Sequence, residues 1–139
     1  MRTDEQDDGL GHVICRRRLR SDQQGKRIYI DVQLGEPRKR RGSWECPFHI
    51  SRIGKGLQLA YGEDPFQALI LALEGIRVTL DKNAPGCLWL DDPGLGNGFP
   101  RFVPQGFGVD LRQRLETVID REVVKFAKAA ERSSRRNNS

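Results

Sequence analysis

From residue 27 onward, Ile28, Ile30, Val32 and Leu34 alternate with Arg27, Tyr29, Asp31 and Gln33. That is the period of a strand with one buried face. Ahead of it, Val13, Cys15 and Leu19 fall on one side and Ile14, Arg16, Arg18 and Arg20 on the other. The polar stretch 21–26, with Gly25, supplies a turn between the two runs. Together they predict a β-hairpin. With its turn centred on Gln23 and Gln24, Val13 pairs with Leu34, Cys15 with Val32 and Leu19 with Ile28. The outer face then sets Arg16 opposite Asp31 and Arg18 opposite Tyr29, both favourable cross-strand pairs.

After a basic loop at 36–42, Trp44, Cys46, Phe48 and Ile50 alternate with Glu45, Pro47, His49 and Ser51, a third strand. Pro47, which has no N–H to give a ladder, predicts a free edge or a bulge there. Gly54, Lys55 and Gly56 turn the chain into a fourth strand, with Leu57, Leu59 and Tyr61 facing in and Gln58 and Ala60 out. Short connections between successive strands favour an antiparallel meander.

The period then changes to that of a helix. Asp64, Pro65 and Gln67 form a start signal: a cap acceptor, a proline whose missing N–H is no loss, and a capping-box partner. Phe66, Leu69, Ile70, Leu73, Ile76 and Leu80 recur at helical spacing, widened by Leu71 and Ala72, to an end near Lys82 and Asn83. Residues 87–90 (CLWL) fit a short strand or an extended segment. Residues 91–108 are a glycine- and proline-rich loop pinned by its aromatic side chains. Asp110 and Gln113 open a second helix to about Glu131, with Leu111, Leu115, Val118, Ile119, Val123, Phe126 and Ala130 on its apolar side. The predicted fold is α+β: a four-stranded antiparallel meander packed by one amphipathic helix, with a second C-terminal helix beside it.

Composition trims both ends. Residues 1–9 carry four acids and almost nothing apolar, and 132–139 carry three arginines and no apolar residue. Both are expected to be disordered, the first an acidic N-terminus and the second a basic tail, leaving 10–131 as a single domain. The formal net charge of +5 permits an anionic partner without requiring one. No apolar run is long enough to cross a membrane, and the charged N-terminus is unlike a signal peptide. Three cysteines without close spacing suit a reducing compartment, so the expected location is cytoplasmic.

Candidate chemistry is sparse. His12, Cys15, Cys46 and His49 have the residue types of a zinc site, but an offset of three on a strand puts each His on the opposite face from its Cys. A cysteine nucleophile needs a base within reach; the two histidines, His12 and His49, are expected on the outer strand face, and Cys87 has no assigned neighbour. Asp91 and Asp92 lack a third acidic partner, and Gly94, Gly96 and Gly98 do not have the spacing of a phosphate loop. No catalytic residue, metal or cofactor is therefore expected, and the protein reads as a non-enzyme.

Two surfaces remain. Arg16, Arg18 and Arg20, with the loop Arg38, Lys39, Arg40 and Arg41, form a basic stripe able to follow a phosphate backbone. The loop residues Phe99, Arg101, Phe102 and Phe107 form a candidate recognition surface, because binding residues often sit on loops held by a rigid scaffold.

Trp44-x-Cys46-Pro47-Phe48-x-Ile50, Tyr61-Gly62-x-Asp64 with Gln67-Ala68-Leu69-x-Leu71-Ala72-Leu73, and Gly98-Phe99-Pro100-Arg101 resemble the motifs of a family of short bacterial proteins of unknown function. The resemblance runs from about Gly11 to Phe126. It implies a shared fold and no activity, because the matching residues are those of packing and turns. The leading expectation is a non-catalytic protein-interaction module, accessory or immunity-like, with a protein partner. The alternative is binding of nucleic acid or another polyanion through the arginine-rich strand face.

Overall fold

The structure is a computed structural model that describes residues 9–53 and 56–139. The acidic segment 1–8 and the Gly54–Lys55 part of the turn lie outside the described residues. The chain divides into two compact units, one through Arg101 and one from Phe102.

The first unit is an antiparallel sheet with one helix. Its strands are β1 (Val13–Gln23), β2 (Lys26–Gly35), β3 (Arg38–Arg40), β4 (Ser43–Ile50), β5 (Leu57–Gly62) and β6 (Leu88–Trp89), and its helix is α1 (Pro65–Asn83). The expected meander is present as β1, β2, β4 and β5, each paired with the next. Two short strands make the count six rather than four. β3 forms from the basic loop and pairs with β4, and β6 pairs with β1 through Leu19 and Arg20.

The hairpin register differs from the expected one by two residues. Leu19 lies opposite Ile30 and Arg18 opposite Asp31, because the turn sits on Gln24 and Gly25, both left-handed. A shift of two preserves which face each side chain takes, so Leu19, Ile30, Val32 and Leu34 are buried together. A bulge between Val13 and Cys15 then resets the start of the strand.

β4 is a central strand, not an edge. β5 lies along one side, while β3 and then β2 share the other. Pro47 falls where the ladder passes from β3 to β2, a position at which a missing N–H costs little. Gly35 makes this crossing possible, since any side chain there would collide with the Leu10 carbonyl and the Pro47 ring. In β5 the expected faces are reversed. Ala60 and Gln58 lie opposite Cys46 and Phe48 on the core side, and Tyr61 is exposed. Pairing with β4 sets this parity and overrides the preference of the larger side chains.

α1 begins as predicted. The Asp64 carboxylate accepts from the Gln67 N–H at 2.8 Å, and the Gln67 side chain accepts from the Glu63 N–H at 2.7 Å. The buried line along it is Ala68, Ala72, Ile76 and Leu80, while Phe66 and Ile70 face outward. Small residues at the start of that line let the helix approach the sheet, where the Phe48 ring lies against Gly75.

The second unit contains α2 (Val109–Asn137). It begins one residue before Asp110, behind Gly108 and without a side-chain cap, and runs beyond Glu131 through the stretch read as a disordered tail. Arg135 and Arg136 in its last turn sit favourably at the negative end of the helix dipole, which helps to explain the extension. The apolar spacing of α2 predicts a helix packed beside the first; none of its residues is buried.

Candidate functional site

The sheet and α1 enclose a cleft on the core side of β1. Its floor is apolar: Val32 and Leu34 from β2 and Ile76 from α1 are almost wholly buried. Leu73, Phe99 and Pro100 form its walls, and Cys15, Arg16 and Arg17 lie at its mouth. The cavity has a volume of about 260 Å³. Cys15 shares the core-side parity expected of it but is exposed, because the sheet is open to the cleft at that point.

Arg17 is the unusual member. It pairs across the hairpin with Val32, so its side chain takes the core side. Its guanidinium carbon lies 3.9 Å from the centre of the Trp89 ring and 4.5 Å from that of Phe99. Stacking on two aromatic faces suits the planar, weakly hydrated guanidinium. The neighbouring loop is built for this contact. Gly98 is left-handed, and a side chain there would come within 2.5 Å of Trp89 and 2.9 Å of Arg17. Asn97 accepts from the Phe99 N–H at 2.9 Å and donates to Asp81 at 3.1 Å, tying the loop to α1. Arg17 donates one hydrogen bond, at 3.4 Å to the Asn97 carbonyl, and forms no ion pair among the described residues. Burial lowers its pKa, partly offset by Cys15.

The basic stripe is largely neutralised. Arg18 contacts Asp31 at 2.9 Å and lies over Tyr29. Hydrogen bonding from Arg18 holds the Asp31 carboxyl below its usual value. Arg20 lies 3.4 Å from Asp91 and 4.0 Å from Asp22. Arg38 and Arg40 converge on the buried Glu45 at 2.8 and 3.1 Å, which explains why the basic loop folds back as β3. Arg16, Lys39 and Arg41 have no carboxylate partner among the described residues.

The aromatic loop is divided. Phe99 packs on the core as a wall of the cleft, and Arg101 is exposed at the end of the first unit. Phe102 and Phe107 belong to the second unit, where Phe107 is 78% exposed. The four candidates therefore divide two and two between the units. Of the cysteines, Cys46 and Cys87 are buried, and burial pushes the Cys46 thiol up to about 11. Among the described residues no group of three or more His, Cys, Asp or Glu side chains could hold a metal ion.

Arg17, Trp89, Asn97 and Gly98 were missed as site residues in the sequence. The signal was present: a charged residue at core-side parity between Cys15 and Leu19, in a strand otherwise sorted by polarity.

These features define a small α+β domain with an antiparallel sheet, one packed helix and an apolar cleft with Arg16 and Arg17 at its mouth. Residues 15–101 match the family described as a domain of unknown function (DUF6968), and the chain belongs to that family. The match ends at Arg101, where the first unit ends, and short of Phe126, to which the motif resemblance extends. No curated protein and no solved structure matches the chain.

Proposed function

We propose that the protein is a cytoplasmic, non-catalytic protein-interaction module that engages its partner through the apolar side of α2. The observation that carries this reading is the exposure of that side. Val118, Ile119, Val123 and Phe126 are all exposed, Phe126 at 75%, although their spacing places them with the half-buried Leu115 on one face. Contiguous apolar surface of this kind marks interaction sites in soluble proteins. The chemistry of the partner follows from charge. Residues 123–137 hold five basic side chains against one acidic, which suits an apolar groove flanked by carboxylates.

A photo-crosslinking residue placed at Ile119 or Phe126 tests this in cells. A discrete protein adduct at both positions, and none at Lys128 on the opposite face, is the expected result. Adducts at all three positions, or at none, would defeat the proposal. Transfer of label to lipid would assign the face to a membrane surface instead.

Polyanion binding is the second reading, favoured by Arg16, Lys39 and Arg41, which no carboxylate engages. It ranks lower because Arg18, Arg20, Arg38 and Arg40 are committed to ion pairs. Nucleic-acid affinity that falls steeply with salt, and less steeply after Arg16→Gln and Arg41→Gln, would raise it to first place.

A further inference from the structure

The α2 reading leaves the cleft on β1 without a role, and its construction is that of a binding site. A cation on the core side of a strand normally meets a carboxylate, because burying an unpaired charge is costly. Arg17 meets two aromatic rings and a backbone carbonyl. Both rings lie within stacking distance of the guanidinium carbon, and the N–H donors left for an incoming group point outward in the plane of the group, along its edge. A carboxylate matches that edge in shape and charge. Next to it lies a cavity whose floor of Val32, Leu34 and Ile76 offers no hydrogen-bonding side chain.

We propose that this cleft binds a compact organic acid, with its carboxylate on the edge of Arg17 and its apolar body between β2 and α1. Size limits the ligand class. At about 260 Å³ the cavity lies just below the range of roughly 300–1,000 Å³ usual for drug-sized ligands. It suits a short aliphatic or single aromatic acid rather than a peptide segment, whose backbone amides would find no partners on the floor. The anion would complete the hydrogen bonding of Arg17 and supply the counter-charge that the described residues do not.

The test is calorimetric titration of the full-length protein with octanoate, phenylacetate and 2-naphthoate, with 2-naphthamide as the neutral match. At least one acid is expected to bind, and the amide more weakly by roughly tenfold or more, the loss of a charge-assisted hydrogen bond. Arg17→Gln should lower affinity by a similar factor, whereas Arg27→Gln, an exposed position outside the cleft, should change it by less than about threefold. Bound acid should slow alkylation of Cys15 by iodoacetamide, a readout left clean by the burial of Cys46 and Cys87. Leu73→Trp, which fills the cavity with Arg17 in place, should abolish binding while the circular dichroism spectrum is kept. It decides the matter should Arg17→Gln fail to fold. Equal binding of acid and amide would overturn the proposal. So would no acid binding below about 1 mM, or wild-type affinity in the Leu73→Trp protein.

Discussion

The two helices of this protein carry the same kind of pattern and use it in opposite ways. α1 turns a line of Ala68, Ala72, Ile76 and Leu80 onto the sheet and buries all four. α2 is ten residues longer, with 29 against 19, and buries none. Amphipathic spacing says only that a helix has a face to cover. Side-chain size and termini say more about what covers it. α1 begins with a capping box and places alanines where the backbone must come close. α2 begins at an uncapped glycine and carries branched and aromatic side chains along its stripe. The first is fitted to a surface within its own unit; the second presents bulk outward.

Ala72→Asp should break the α1 side of this comparison. A charge at a fully buried position without a partner is expected to cost more than about 4 kcal/mol, so the first unit should lose its cooperative thermal transition. A smaller loss, about 1–3 kcal/mol, is expected for Glu45→Gln, which leaves an acceptor oxygen but removes the negative charge that Arg38 and Arg40 share. Chemical denaturation measures the loss, and the freed arginines should raise affinity for nucleic acid in the same protein.

Asp31→Asn should cost only about 0.2–1 kcal/mol, because the Arg18 pair is solvent-exposed. Its pH dependence has a definite sign. The Asp31 carboxyl is depressed below its unfolded value, so its contribution is present above about pH 4 and is lost as pH falls through the lower native pKa. Melting temperatures of the wild type and the Asn variant should therefore converge in acid. The smallest effect on stability belongs to α2. Ile119→Asp should shift the transition of the first unit by no more than about 0.5 kcal/mol, while removing the crosslink formed from Phe126.

Much of the first unit was legible in the residues. The alternation in Lys26–Gly35, the polar turn and the Asp64–Gln67 cap each rest on local chemistry, and each is found. The faces of β5 were not legible, because its own side chains favour Leu59 and Tyr61 inward while pairing with β4 decides for Ala60. β3 was hidden in a charged loop, and the reason for its folding, the buried Glu45, becomes visible only when β4 is seen to be central. The cleft was half legible. Arg17 stood at the wrong parity for a charge, but nothing in the order of residues brings Trp89 and Phe99 to it. That requires β6 to pair with Leu19 and Arg20.

The shortness of β6 has one more result. It covers β1 only at Leu19 and Arg20, and among the described residues the remainder of that edge has no strand partner. Open edges are templates on which copies of a chain add to one another and precipitate. Here the open stretch carries three consecutive arginines, 16 to 18. Two copies meeting edge to edge in antiparallel fashion would set these triplets against each other, and like charges directly opposite are repulsive. Arg16 and Arg18, which read from the sequence as part of a surface for partners, thus also help, with Arg17, to keep the protein from becoming its own partner in aggregation, a protection that should weaken as salt is raised.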